Sequence, residues 1–201
     1  MGRSKTDLVI EELSHKGILR TREIVSLGVS REHLRKMMDS GKVIRVSRGL
    51  YTLPEHELSI HHSLAQAGKL VPRGVVCLLS ALRFHDLTSQ SPHEVWMAID
   101  NRRWKPKVDN PPLRIVRFSG KALTEGVEVH RVEGVPVHVY SPAKTVADCF
   151  KYRNKIGLEV ALEALQEGWR HKRFSMDELY RYAGVCRITS IMQPYIEMLT
   201  I

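Results

Sequence analysis

Apolar residues recur at helical spacing in three segments near the start of the chain. The spacing predicts helices over residues 5–16, 21–26 and 31–40, and Gly17 and Gly28 follow the first two as stop signals. The apolar positions expected to face inward are Leu8, Val9, Leu13, Ile24, Val25, Leu27, Leu34, Met37 and Met38. Two short apolar runs, "KVIRV" and "LYTL", then flank "SRG" and predict a β-hairpin. The order helix, helix, turn, helix, hairpin is that of a winged helix-turn-helix.

Cations are concentrated on the two elements that end this segment. The third helix has Leu34, Met37 and Met38 on its apolar side. Its polar candidate DNA contacts are Ser30, Arg31, Arg35 and Lys36, and Arg48 lies in the hairpin turn. A helix of this kind fits the major groove, where arginine binds the guanine edge through two hydrogen bonds. A basic helix face is also often simply solvated, and some helix-turn-helix folds dock proteins instead.

The charge balance of the chain supports an anionic partner but does not identify it. The 201-residue chain has a formal net charge of +9, which favours anionic partners. Residues 1–53 contain 11 Lys and Arg against 6 Asp and Glu, so this quarter of the chain holds more than half of the positive excess.

The three cysteines are far apart and form no CxxC pair, which predicts no zinc site and no disulfide framework. With no apolar stretch long enough for a signal peptide or a membrane span, we expect a cytoplasmic protein.

The remainder of the chain mixes strand and helix patterns. A helix is predicted over residues 75–85, and strands over residues 94–100, over 113–119 and on both sides of the Glu133–Gly134 turn. Ser141 and Ser175 are predicted to begin helices in the C-terminal part. The expected fold class is α+β: a winged helix-turn-helix domain over residues 1–54, and over residues 55–201 a small mixed sheet of about four strands covered by helices.

One loop of this second part has a composition typical of nucleic-acid contacts. Residues 101–112 include Arg102, Arg103, Trp104 and Lys105, which suit phosphate pairing and base stacking. We therefore consider these four residues as secondary nucleic-acid contacts. An exposed hairpin loop without a ligand is the ordinary alternative.

Candidate metal and catalytic residues are few. His61 and His62 are adjacent, so on a helix their side chains diverge by about 100° and do not converge on one ion. A metal-dependent nuclease needs converging carboxylates, for which Glu94, Asp100 and Asp109 are the candidates. They lack the neighbouring Glu-x-Lys expected on the next strand. We therefore predict no metal, no cofactor, no catalytic residue and no enzyme.

The stretch "GVSREHLRKMMDSGKVIRVSRGLYTL" resembles the winged helix of AbiEi-type antitoxins, transcriptional regulators of type IV toxin–antitoxin and abortive-infection (phage-defence) systems. Further segments, "SALRFHDLT", "LRIVRFSG" and "SPAKTVADCF" among them, look like the C-terminal antitoxin domain of that family in the same order. The resemblance extends over nearly the whole chain. Met37 and Met38 replace the usual Leu or Val, a change that a core tolerates.

The resemblance implies a DNA-binding autorepressor that binds inverted repeats upstream of its own operon. It also implies an antitoxin that counteracts a nucleotidyltransferase-fold toxin without a stable complex, and a chain that is a monomer in solution or a dimer on DNA. By analogy Ser30, Arg31, Arg35, Lys36 and Arg48 contact the operator. Lys144 and Asp148, one helical turn apart, are either functional or an ordinary intrahelical ion pair. The alternatives are a nuclease targeted by the winged helix, and a winged helix that only docks proteins.

Overall fold

Three helices and three short strands form from residues 5–52 of the computed structural model, which describes residues 4–56 and 59–200. The elements are α1 Lys5–Lys16, β1 Leu19–Arg20, α2 Thr21–Ser26, α3 Arg31–Asp39, β2 Ile44–Ser47 and β3 Leu50–Thr52. This confirms the predicted order of helices and hairpin. The predicted end of the third helix at Ser40 was one residue late, because Ser40 is the C-cap.

Side-chain caps explain where two of these helices begin. The Ser4 hydroxyl accepts a hydrogen bond from the Asp7 amide, and the Asp7 carboxylate accepts one from the Ser4 amide, which completes a capping box before α1. Ser30 accepts a hydrogen bond from the His33 amide at 3.1 Å and begins α3 as predicted. Each cap satisfies an amide that has no partner within its helix.

The strands form a three-stranded antiparallel sheet in the order β1-β3-β2. The two-residue strand β1 pairs Leu19 with Tyr51, and it was too short to leave an alternation signal in the sequence. The core between this sheet and the helices contains Val9, Leu13, Leu19, Ile24, Val29, Leu34, Met37, Val43 and Tyr51. The expectation that Val25 faces inward was wrong, since 45% of its surface is exposed on the outer side of α2.

The described residues group into two compact units. The first holds the described residues up to 72 together with residues 108–111 and 130–137, and it includes the helix α4, His62–Leu70. Residues 73–107, 112–129 and those from 138 onward form the second. The division of the chain at residue 54 remains a prediction.

The second sheet has five strands in the order β6-β5-β4-β8-β7. They are β4 Val75–Val76, β5 Val95–Asp100, β6 Leu113–Phe118, β7 Val127–Val132 and β8 Val135–Tyr140. The pairing is mixed, because β4 is antiparallel to β5 but parallel to β8, and β5 is parallel to β6. Glu133 and Gly134 form the turn between β7 and β8 as predicted, both with positive φ.

One predicted helix in this region was wrong in its first residues. Residues 75–85 were expected to be helical, but Val75 and Val76 form β4 and the helix α5 is Leu78–Phe84. A continuous apolar run gives no periodicity that separates a buried strand from a buried helix. Leu78, with φ 47°, marks the change of direction between the two elements.

Six more helices belong to the second unit: α6 Lys121–Thr124, α7 Pro142–Lys151, α8 Arg153–Ile156, α9 Leu158–Arg170, α10 Met176–Cys186 and α11 Thr189–Glu197. The predicted Ser141 and Ser175 caps are confirmed at α7 and α10. These helices and α5 share a core with β4 to β6 and β8. The α+β fold class is therefore confirmed. In the described part of the chain, no helix has the length and apolar content needed to cross a membrane.

Candidate nucleic-acid interface

The helix α3 has one buried side and one charged side. Leu34 and Met37 are 3% exposed and belong to the core, which fixes the rotation of the helix about its axis. Arg31, Arg35 and Lys36 project from the remaining surface and are exposed to solvent. The structure thus leaves three of the predicted DNA contacts exposed on α3.

Two of these cations pair with acidic residues of α3 but remain exposed to solvent. Lys36 Nζ lies 2.9 Å from Glu32 Oε1, and Arg35 Nε lies 4.0 Å from Asp39 Oδ2. All four side chains are at least 70% exposed. Exposed pairs of this kind contribute only about 0–1 kcal/mol, so a phosphate or a base edge replaces the acidic partner at small cost.

His33 is a positioning residue that the sequence did not single out. Its Nε2 lies 2.9 Å from the Thr6 hydroxyl on α1, across the interior side of α3. Together with the Ser30 cap, this hydrogen bond fixes the N-terminal turn of α3, where Arg31 is located. Thr6 and His33 are 27 residues apart in the chain, so no local sequence pattern predicts this role of His33.

The hairpin turn between β2 and β3 consists of Arg48 and Gly49. Gly49 has φ 77°, a conformation that favours glycine, and its carbonyl accepts a hydrogen bond from the Thr21 amide at 3.0 Å. This contact holds the turn against the N-terminus of α2. The Arg48 side chain is exposed at the turn, where the sequence predicted it.

The predicted secondary contacts lie on a loop that follows β5. The Arg102 amide donates a hydrogen bond to Asp100 Oδ1, and Trp104 is 96% exposed. Arg117 Nη1 on β6 donates to the carbonyls of Asn101 and Arg103 at 2.9 and 2.7 Å. Arg117 therefore anchors the start of this loop, a role that sequence reasoning missed.

The pair Lys144 and Asp148 lies in the interior of the second unit. Lys144 Nζ is 2.6 Å from Asp148 Oδ2, and the two side chains are 0% and 1% exposed. The structure contains the intrahelical ion pair that the i,i+4 spacing suggested, and this pair is buried. Because neither group reaches solvent, the pair belongs to the core and not to a binding surface.

Two of the three carboxylates considered for a nuclease have other partners. Glu94 Oε2 lies 3.5 Å from Arg114 Nη1, and Asp100 Oδ1 accepts a hydrogen bond from the Arg102 amide. His62, one of the two adjacent histidines, is a partner of Glu133, with Nδ1 2.7 Å from Oε2. Within residues 4–56 and 59–200, no three His, Cys, Asp or Glu side chains are grouped so that they can hold a metal ion.

The arrangement of α1 to α3 and the β2–β3 hairpin places the N-terminal segment in the helix-turn-helix class of DNA-binding folds. Residues 7–54 match the family described as "Transcriptional regulator, AbiEi antitoxin". This match confirms the resemblance predicted for the N-terminal segment.

The other comparisons concern the whole chain. No curated protein matches it significantly. Among solved structures, the RV2827C protein from Mycobacterium tuberculosis is similar, with a TM-score of 0.54 and 12% sequence identity. The alignment covers 92% of this chain and 72% of that one. At this identity the likeness is one of fold, and it extends over both compact units.

Proposed function

We propose that the protein is a DNA-binding autorepressor and antitoxin of a type IV toxin–antitoxin system. In this proposal α3 enters the major groove of an operator upstream of the gene, and Arg31, Arg35 and Lys36 contact bases and phosphates. Ser30, at the N-terminus of α3, and Arg48, in the hairpin turn, contact the backbone. The observation that carries the proposal is the exposed cationic face of α3 within a segment that matches the regulator family.

The spacing along α3 supports direct reading of base pairs. Arg31 and Arg35 are separated by one helical turn, so their guanidinium groups extend from the same face. Each can bind guanine O6 and N7, and each such pair contributes about 1–3 kcal/mol of discrimination. Lys36 is a compact charge that suits a phosphate instead.

The operator is proposed to contain inverted repeats, with one chain bound to each half-site. A monomer in solution that becomes a dimer on DNA is consistent with this arrangement, since palindromic sites mirror the two-fold symmetry of the bound pair.

The second unit is proposed to carry the antitoxin activity. The antagonised partner would be a nucleotidyltransferase-fold toxin, without a stable complex between the two proteins. This role requires neither a cofactor nor catalytic chemistry, and it places the protein in the cytoplasm with its DNA.

Two assays on the full chain test the proposal. A reporter fused to the DNA upstream of the gene should be repressed by the protein, and the Arg31→Ala/Arg35→Ala variant should lose the repression. Cells that express the adjacent toxin gene should be protected by both forms, because the substitutions leave the second unit intact. Repression that persists in the variant would refute the role of α3, and failure of the wild type to protect would refute the antitoxin role.

A matched control removes two exposed cations elsewhere. Arg83→Ala/Arg170→Ala changes the net charge by the same amount, at positions outside α3 that are exposed in the second unit. It should repress the reporter like the wild type. A loss of repression equal to that of the α3 variant would show that only total charge matters.

A further inference from the structure

A basic cavity of about 450 Å³ opens on the second unit between α6, α7 and α10. Four cationic residues line it: Arg117, Lys121, Lys151 and Arg187. Among its lining residues, all of which belong to the described chain, none is acidic. Like charges around one cavity repel one another, so an anion that enters the cavity removes an unfavourable interaction.

A second cavity, also about 450 Å³, adjoins the first and shares Arg117 and Tyr152 with it. Its lining adds Trp96, Arg114 and Lys155. Arg114 Cζ lies 4.5 Å from the centre of the Trp96 ring, and Lys155 Nζ lies 5.5 Å from that of Tyr152. We call the two cavities together the cationic cleft. Glu94, paired with Arg114, offsets one of its six positive charges.

Tyr152 occupies the junction between the two cavities. Its side chain is half-buried, and burial raises the pKa of the phenol to about 12. The hydroxyl is therefore protonated at neutral pH and can donate a hydrogen bond to a phosphate oxygen. The ring itself stacks on Phe118, with 5.7 Å between the ring centroids, and Lys155 lies over it, so Tyr152 offers the cleft its hydroxyl and not a free aromatic face.

Arg117 connects the cleft to the loop that carries Trp104. Its side chain lines both cavities, and its Nη1 holds the carbonyls of Asn101 and Arg103. The loop therefore begins beside the cleft, and it adds an exposed indole with Arg102 and Lys105 on either side of it. A residue of the cleft thus holds the loop that carries the exposed indole.

We propose that the cationic cleft and this loop bind single-stranded nucleic acid. Phosphates lie against Lys121, Lys151 and Arg187 and accept a hydrogen bond from the Tyr152 hydroxyl, while a base stacks on Trp104. A duplex is read by elements that protrude into its grooves, whereas a concave cleft with aromatic groups accepts separated bases. This site is independent of α3, so the proposal does not rest on operator binding.

The test is fluorescence anisotropy with labelled oligoadenylate strands of about 12 nucleotides, a length that a single binding surface commonly covers. The full-length Arg31→Ala/Arg35→Ala variant is the starting protein, so that the contribution of α3 to binding is small and the same in every variant compared. Lys151→Ala/Arg187→Ala in this background should weaken binding at least tenfold. Trp104→Ala should weaken it by about tenfold, the loss of one stacked base. Arg83→Ala/Arg170→Ala is the charge-matched control and should leave the affinity unchanged.

The comparison of ligands decides what the cleft accepts. RNA and DNA strands are both measured, and tight binding of either one supports the proposal. A duplex of the same length bound more tightly than the strand would overturn it, as would equal binding by the cleft variant and its control. ATP bound as tightly as the strand would identify a mononucleotide site and also overturn it. Circular dichroism spectra of each variant establish that it is folded before its affinity is compared.

Discussion

Lys144 Nζ lies 2.6 Å from Asp148 Oδ2 within α7, and this ion pair is completely enclosed by the core of the second unit. The ammonium group is 4.2 Å from the centre of the Tyr140 ring, and Cys186 Sγ donates to the second oxygen of Asp148 at 3.2 Å. Burial raises the pKa of Asp148, and the nearby Lys144 ammonium opposes that effect. Each charge is thus tolerated only because the other is present.

Removal of one partner should therefore cost more than removal of both. Lys144→Met leaves the Asp148 carboxylate without its counter-charge and should lower the free energy of unfolding by about 3–5 kcal/mol. The double variant Lys144→Met/Asp148→Leu removes both charges and should lose clearly less. Urea unfolding of the wild type and of both variants measures the difference. A double variant less stable than Lys144→Met would contradict this account of the pair.

Gly17 is expected to tolerate no side chain. It has φ 65°, and an added Cβ would be 1.7 Å from the carbonyl oxygen of Glu133, a backbone atom whose displacement is costly. Gly17→Ala should lower the free energy of unfolding by more than about 3 kcal/mol. Gly41, with φ 71° and open space around it, is the matched control, and Gly41→Ala should lose about 1–2 kcal/mol. Chemical denaturation measures both, and equal losses would show that the approach to Glu133 is unimportant.

The Glu133 carboxylate should make the first unit sensitive to acid. It accepts hydrogen bonds from the Ser59 amide and hydroxyl at 2.7 and 2.8 Å and from His62. Burial alone would raise the pKa of Glu133, but these hydrogen bonds outweigh it and hold the pKa below the ordinary 4.5. A depressed folded-state pKa contributes stability above the unfolded value, and that stability is lost as the pH falls from about 4.5 through the folded pKa.

Unfolding midpoints measured between about pH 6 and pH 3 test this dependence. Glu133→Gln should be less stable than the wild type by about 1–3 kcal/mol at pH 6, since a neutral amide replaces a charged acceptor. The difference should shrink as the pH falls. Glu55→Gln, at an exposed position, is the control and should follow the wild-type curve. A constant difference at every pH would show that ionisation of Glu133 does not contribute.

The three cysteines should be inert in the folded protein. Cys77, Cys149 and Cys186 are buried, and burial raises the pKa of each thiol, that of Cys186 to about 12. The thiolate is the reactive form, so reaction with a disulfide reagent should be slow in buffer and fast in denaturant. The rate of reaction at neutral pH measures this. Fast labelling of one thiol under native conditions would reveal local opening of the core.

The sequence predicted those parts of the fold that depend on neighbouring residues. Helix caps at Ser30, Ser141 and Ser175 and the Glu133–Gly134 turn are local signals, and the structure confirms all four. What the sequence did not predict depends on distant contacts. The strand Val75–Val76 exists only through its pairing with β5 and β8.

The candidate sites show the same difference between local signals and distant contacts. Periodicity alone placed Arg31, Arg35 and Lys36 on the exposed side of α3. The cationic cleft instead gathers residues from β6, α6, α7, α8 and α10, and no local pattern relates them. Lys144 and Asp148 show the same limit, since their spacing predicted the pair but not its burial.

Binding of duplex DNA by α3 is the central claim, and fluorescence anisotropy across a salt series tests it most directly. The labelled duplex is taken from upstream of the gene and compared with a scrambled duplex. The wild type should bind the upstream duplex more tightly, with log K falling linearly against log salt by roughly 0.9 for each phosphate neutralised. Arg31→Ala/Arg35→Ala should lose at least tenfold in affinity and the preference for the upstream duplex. Equal, weak binding of both duplexes by the wild type, unchanged in the variant, would contradict the claim.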